Sequence, residues 1–110
     1  MHTDHDPTLD PTTLHGFQKL IHDRYFATDS ARGVEGTFML LMEEVGELAT
    51  ALHDNSRPNR EPTQAQRANL EEEFADVLAW LATLANITKV DFATAIEKYT
   101  TPGRVEGVKD

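Results

Sequence analysis

Apolar residues recur at steps of three and four along most of this chain, and that spacing predicts α-helices. The first helix is predicted over about residues 11–27, because Asp10-Pro11 supplies an N-cap residue followed by proline in the first turn. A loop is expected over residues 28–36, where Asp29, Ser30 and two glycines interrupt the pattern. The remaining helices are predicted over about residues 34–53, 64–86 and 91–100.

Polar residues at the predicted helix starts support this assignment. Thr63 is placed to cap the third helix, and Asp91 is placed to cap a short fourth one. No stretch alternates apolar and polar residues as a half-buried strand would. The expected fold is therefore all-α, a four-helix bundle formed by a single domain over residues 11–100.

The two ends of the chain are expected to be flexible tails, at residues 1–10 and 101–110. His2 and His5 lie in the first tail and are candidate metal ligands. A disordered terminus that binds nothing is the favoured interpretation of that segment.

The composition narrows the classes of partner. The chain has 110 residues and a formal net charge of −9, which repels nucleic-acid polymers and acidic membranes. It has no cysteine, which excludes disulfides and thiolate metal sites. It shows no signal-peptide pattern, and no apolar run reaches the ~20 residues that a bilayer requires. A cytoplasmic protein is the simplest expectation.

Carboxylates interrupt the apolar faces of the second and third predicted helices. At about 100° per residue, Glu73 falls inside the apolar arc of the third helix and Asp76 at its edge. On the second helix Glu44 falls inside the arc and Glu47 at its margin, with Glu43 beyond Glu47 on the same side.

A charged carboxylate in a helix interface must be protonated, paired or bound to a cation, because leaving it unpaired costs several kcal/mol. The nearest cations on the third helix, Arg67 and Lys89, lie more than one turn away. If the two helices pack antiparallel, both pairs of acids converge, and an all-oxygen site favours Mg²⁺, with Mn²⁺ as a substitute. The alternative, a solvated acidic face, is favoured for Glu71. For Glu72 the favoured positions are solvent or a place behind the metal ligands.

These acids and their surroundings resemble a known family. Glu-Glu-x-x-Glu, followed after a loop and half a helix by Glu-x-x-Asp, is the signature of the all-α nucleoside triphosphate pyrophosphohydrolases, the MazG-like group. Here it reads Glu43-Glu44-Val45-Gly46-Glu47 and Glu73-Phe74-Ala75-Asp76. The apolar residues that flank both motifs match as well, and the similarity extends from Leu40 to Phe92.

The resemblance implies hydrolysis of a nucleoside triphosphate between the α and β phosphates, giving a monophosphate and pyrophosphate. It assigns the metal to Glu44, Glu47, Glu73 and Asp76, and makes Glu43 the candidate general base. Relatives assemble as dimers or tetramers. The second predicted helix agrees, because its apolar residues cover more than half of its circumference.

Substrate-binding residues are implied less sharply. Trp80 is a candidate for stacking against the base of the nucleotide, or it is a residue of the apolar core. Asn86 is a candidate for binding the substrate of the neighbouring chain, or for capping its helix. Gln18 is a further candidate from the first helix. Relatives often carry the motif Lys-x-x-Asn-x-x-Arg after the last helix. In this chain Lys98 matches the lysine of the motif, and Arg104 is a candidate substitute for the arginine. The asparagine of the motif has no clear counterpart.

Two alternatives to this function stay open at this stage. One is phosphoribosyl-ATP pyrophosphohydrolase, an enzyme that shares the fold and differs in substrate. The other is a non-catalytic acidic helical module that binds a partner protein, with its metal site lost or purely structural.

Overall fold

The computed structural model describes residues 9–104, and over that range every regular element is a helix. The predicted all-α class is therefore confirmed. Residues 1–8 and 105–110, which include His2, His5 and most of both predicted tails, lie outside the described residues. The four elements are α1 (Leu14–Asn55), α2 (Gln64–Ile87), α3 (Phe92–Ala95) and α4 (Glu97–Thr100).

The loop predicted over residues 28–36 is wrong, because a single residue makes the break. Gly33 has φ 85° and ψ 176°, and the chain is helical on both sides of it. That backbone conformation is essentially restricted to glycine. We call residues 14–32 the N-terminal arm of α1 and residues 34–55 its C-terminal arm. Asp29 and Ser30, expected in the loop, lie in the last turn of the N-terminal arm.

Helix α1 begins at Leu14, three residues later than predicted, since Asp10 caps a turn instead of the helix. The Asp10 carboxylate accepts hydrogen bonds from the Thr12 amide at 2.9 Å and the Thr12 hydroxyl at 2.6 Å. Thr13 is the N-cap of α1, and its hydroxyl accepts from the Gly16 amide at 3.0 Å.

A short connection joins α1 to α2 and sets them antiparallel. The predicted cap at Thr63 is confirmed as a full capping box: its hydroxyl accepts from the Gln66 amide, and the Gln66 side chain accepts from the Thr63 amide. Asn55, the last residue of α1, donates to the carbonyl oxygens of Ala51 and Gln66. The C-terminal arm therefore runs back along α2, as the convergence of the acids requires.

The predicted fourth helix is present only as two single turns. Asp91 caps α3, and its carboxylate accepts from the Ala93 amide at 3.1 Å, as expected. Ile96 ends α3 and begins α4, which closes at Thr100. Three long helical segments, the two arms of α1 and α2, thus carry most of the chain.

The apolar core is thin, and much apolar surface stays exposed. Among the described residues six apolar ones are buried, and three of these are alanines. The C-terminal arm exposes a stripe formed by Val34, Phe38, Met42, Val45 and Leu52, which we call the α1 stripe. Helix α2 exposes Phe74, Leu78 and Leu81 at steps of four and three. The radius of gyration, 16.4 Å, exceeds the ~13 Å expected of a compact chain of this length.

No helix among residues 9–104 is long and apolar enough to span a membrane.

Candidate metal centre

Three glutamates from two helices meet at one place. Glu44 and Glu47 lie on the C-terminal arm of α1, one turn apart, and Glu73 lies on α2. Each offers a carboxylate oxygen, and these three oxygens all lie within 4.8 Å of one another. The antiparallel packing of two helices, each with acids on its inner face, brings them together.

Two oxygens in this cluster are buried and have no hydrogen-bond partner among residues 9–104. They are Oε2 of Glu44 and Oε1 of Glu73, and both side chains are half-buried. A carboxylate oxygen removed from water without a donor costs free energy. Such an arrangement of three hard oxygen donors fits a divalent cation, because the cation would satisfy both orphaned atoms.

The electrostatics of the cluster agree with that interpretation. Burial raises the pKa of Glu44, and the neighbouring charges of Glu47 and Asp76 raise it further. Burial also raises the pKa of Glu73, followed by repulsion from Glu47 and Asp76. In both cases the environment disfavours the ionised form, which a bound cation would reverse.

Asp76 and Glu43 lie at the edge of the cluster. Asp76 is exposed and lies outside the 4.8 Å group, although its charge acts on both Glu44 and Glu73. Glu43 is exposed as well, and its charge acts on Glu44. Both carboxylates therefore lie next to the three-glutamate cluster and reach solvent.

No cation of the described chain neutralises these acids. The ion pairs within residues 9–104 all lie elsewhere, and none includes an acid of the two motifs. The absence of a lysine or arginine beside the motifs, inferred from their spacing, therefore holds in this part of the structure.

Trp80 lines a cavity of about 310 Å³ between the N-terminal arm and α2, which we call the Trp80 cavity. Its polar and aromatic walls come from Tyr25, Thr28, Asp29, Arg32, Trp80 and Thr83. Trp80 is half-buried, and the guanidinium of Arg32 lies 4.9 Å from its ring centroid. The ring thus borders open space rather than the sealed core.

Gln18 and Asn86 bind each other, at a distance from the acids. Gln18 Nε2 donates to Asn86 Oδ1 at 3.1 Å and to the Val90 carbonyl at 2.7 Å, while Gln18 Oε1 accepts from the Phe92 amide at 2.8 Å. Asn86 Nδ2 donates to the Gln18 carbonyl at 3.2 Å. Asn86 lies thirteen residues after Glu73, about 20 Å along α2. Within one chain, these two side chains fix the segment that leads into α3.

Lys98 lies in α4 and Arg104 lies after it. The Lys98 ammonium lies 5.6 Å from the ring centroid of Tyr99, and an Arg104 guanidinium nitrogen lies 3.8 Å from a Glu97 carboxylate oxygen. Neither side chain makes a described contact with the acid cluster of its own chain. Their substrate role stays a prediction.

A buried polar network beside the kink was missed from the sequence. Asp29 accepts from Arg32 at 3.0 Å and from the Thr83 hydroxyl at 2.9 Å, and Arg32 also donates to the Thr37 hydroxyl at 3.2 Å. Thr37 is fully buried and Asp29 is 4% exposed. The three-residue spacing of Asp29 and Arg32 was the available signal, but it points to a helical pair only if this stretch is helical.

The sequence matches one protein family, described as the MazG nucleotide pyrophosphohydrolase domain, over residues 32–101. The matched range covers more than half of the chain and contains both acidic motifs. A search of curated proteins gives no significant match. A match of this length, on an all-helical chain whose acidic motifs meet at one point, supports one conclusion: the chain belongs to the MazG nucleotide pyrophosphohydrolase domain family.

Proposed function

We propose that this chain hydrolyses nucleoside triphosphates between the α and β phosphates in a Mg²⁺-dependent reaction. The proposed substrates are deoxynucleoside triphosphates or non-canonical nucleoside triphosphates. The observation that carries the proposal is the pair of buried, unpartnered oxygens on Glu44 and Glu73, within a cluster of three glutamates. Removal of unwanted nucleotides from the cytoplasmic pool is the role that fits such an activity.

The proposed ligands are Glu44, Glu47, Glu73 and Asp76. Divalent ions bound there would offset the charge of the triphosphate and lower the pKa of an attacking water. Mn²⁺ is the expected substitute, because it accepts the same oxygen ligands. Glu44 and Glu47 lie on α1 and Glu73 and Asp76 on α2, so the backbones of two helices would hold the proposed ligands in place before substrate arrives.

Glu43 is the proposed general base. The water oxygen forms a bond to phosphorus while the bridging P–O bond between the α and β phosphates breaks, and pyrophosphate leaves. The proton of that water passes to the Glu43 carboxylate, which is exposed and adjacent to the ligand Glu44. No nucleophilic side chain is required.

We also propose that the working form is a dimer or tetramer. Support comes from the α1 stripe and from Phe74, Leu78 and Leu81 on α2, because these large apolar side chains stay exposed along two helices and a second chain would cover them. In such an assembly Lys98 would be available to a neighbouring chain's site, and Asn86 would reach one only by giving up its hydrogen bonds to Gln18.

The test is a panel of nucleoside triphosphates with Mg²⁺, read out for pyrophosphate and orthophosphate separately. We expect pyrophosphate as the product, and turnover lowered at least ~100-fold in E47A and D76A, because each loses a metal ligand. E71A is the matched control, since Glu71 is an exposed acid of α2 outside the cluster.

Orthophosphate as the sole product, or unchanged turnover in E47A and D76A, would overturn the proposal. Phosphoribosyl-ATP belongs in the same panel, because its exclusive hydrolysis would assign the chain to that related activity instead. Absence of both turnover and any Mg²⁺-dependent thermal shift would favour the non-catalytic module.

A further inference from the structure

The Trp80 cavity shares the acid-bearing face of α2 through Trp80. Trp80 follows Asp76 by one turn and Glu73 by two, and Thr37 precedes Glu44 by two turns on the facing arm. Two turns correspond to roughly 10 Å along a helix. A triphosphate held at the acids would therefore extend its base toward this cavity.

The walls of the cavity suit a flat heterocycle. Two aromatic side chains, Tyr25 from the N-terminal arm and Trp80 from α2, face the space together with the guanidinium of Arg32. Its volume of about 310 Å³ lies at the small end of ligand pockets. Aromatic faces and a planar guanidinium are the surfaces on which bases stack.

Arg32 is held in place from several sides. Its Nη1 and Nη2 atoms donate to Oδ1 of Asp29 at 3.2 and 3.0 Å, and Nη1 also donates to the Thr37 hydroxyl. Its stem packs against Gly36, where an added Cβ would lie 3.0 Å from the Arg32 Cγ atom. A guanidinium restrained in this way is pre-organised to recognise a ligand.

Of the two charged side chains that line the cavity, Arg32 has N–H donors without a partner among the described residues, whereas both acceptor oxygens of Asp29 are occupied. Three of the five guanidinium N–H groups of Arg32 are used by these bonds, which leaves Nε–H and one Nη2–H without a partner among the described residues. Both oxygens of Asp29 accept from protein donors, Arg32 and Thr83, and the residue is almost fully buried.

We infer that Arg32 is a specificity-determining residue that selects keto bases over amino bases. This inference rests on the proposed function. A guanidinium donates hydrogen bonds and accepts none, so it favours guanine, hypoxanthine and uracil, which carry a carbonyl oxygen where adenine and cytosine carry an amino group. Asp29 and Thr83 act as positioning residues that hold the guanidinium.

The first test compares kcat/KM for ITP against ATP and for UTP against CTP, since the members of each pair differ only in the keto or amino group and in the proton on the adjacent ring nitrogen. We expect a preference of roughly 10- to 100-fold for the keto member, the range of one good charged base contact. In the double variant D29N/R32Q, which keeps a neutral hydrogen-bonding pair, the preference should fall to near one. R24Q is the matched control, because Arg24 is exposed on the same arm and outside the cavity.

A second readout does not depend on turnover, because Trp80 is the single tryptophan of the chain. Its fluorescence should change on adding α,β-methylene-GTP with Mg²⁺, and at lower concentration than with α,β-methylene-ATP. Inorganic tripolyphosphate should leave it unchanged. D29N/R32Q should bind both analogues alike, provided that its melting temperature shows a folded protein.

The outcomes separate this inference from the proposed function. Pyrophosphate release with no keto preference, or with a preference that folded D29N/R32Q retains, would overturn the role of Arg32 and leave the proposed function standing. An Arg32-dependent Trp80 response without pyrophosphate release would overturn the proposed function and leave the recognition of keto bases standing.

Discussion

Glu44 and Glu73 each hold a buried oxygen that no donor of the described residues reaches. Both carboxyls also have raised pKa values, because burial and neighbouring acids disfavour their charge. In the metal-free protein these glutamates therefore oppose folding at neutral pH. The same residues that would bind the cation make the empty site unfavourable, which is common where function and stability compete.

We expect E44Q to melt at a higher temperature than the unmodified chain in EDTA, by roughly a few degrees, because it removes one of several repelling charges. Added Mg²⁺ should raise the melting temperature of the unmodified chain and leave that of E44Q almost unchanged. Thermal unfolding followed by circular dichroism, with E71Q as the control, measures both effects. A lower melting temperature for E44Q in EDTA would show that protein donors stabilise the Glu44 carboxylate.

For single residues, the sequence predicts which way a side chain faces wherever that residue lies on a regular helix. The faces of Glu44 and Glu73 follow from counting residues. In the structure their carboxylates lie beside Glu47, whereas Asp76, expected to converge with them, lies outside that group. Arg32 and Asp29 could not be placed, because their partners Thr37 and Thr83 come from across a kink and from another helix. Such contacts depend on the angle at Gly33, which periodicity does not encode.

At the scale of helices, the kink at Gly33 directly follows Arg32, a wall residue of the Trp80 cavity. It ends one arm of α1 and starts the next without a loop, so that Arg32 and Thr37 hydrogen-bond across it. A break was expected here from the glycines, but a run of Asp, Ser and Gly suits a loop and a single-residue kink equally well. Only packing against α2 decides between them.

G33A tests that feature. A Cβ on Gly33 would meet no atom within 4 Å, so the cost of G33A is the backbone conformation alone. We expect a loss of about 1–3 kcal/mol in the free energy of unfolding, measured by urea titration. Gly46 also has open space around it but lies inside a helix, so G46A should instead stabilise the chain by about 0.5–1 kcal/mol. Equal and small effects of both substitutions would contradict the strained role of Gly33.

At the scale of the whole molecule, a single chain leaves many of its large apolar side chains exposed, which favours association with a second chain. The α1 stripe lies beside the face that packs on α2, and its residues are exposed by 39–50%. The sequence predicted this excess, because the apolar residues of the C-terminal arm cover more of the helix than one neighbour can hide. The number of chains needed to cover it is not encoded in that pattern.

F38E tests whether a second chain covers the stripe. Phe38 is 50% exposed within the chain, so a charge there should leave the monomer fold intact while weakening association by at least ~10-fold. Light scattering after size-exclusion chromatography gives the mass of each form. Met39 is 70% exposed on the same arm but turned away from the stripe by about 100°, so M39E should keep the dimer. A monomeric unmodified chain, or a dimer unaffected by F38E, would contradict this assembly.

A titration of the metal-free protein with Mn²⁺ tests the metal centre itself, with free Mn²⁺ measured by electron paramagnetic resonance and bound Mn²⁺ obtained by difference. We expect saturable binding to the unmodified chain and to E71Q, and loss of that binding in E44Q and E73Q, because the ion is held by acids of both helices. Failure of the unmodified chain to bind Mn²⁺ saturably, or unchanged binding by E44Q and E73Q, would show that these carboxylates do not form a metal centre.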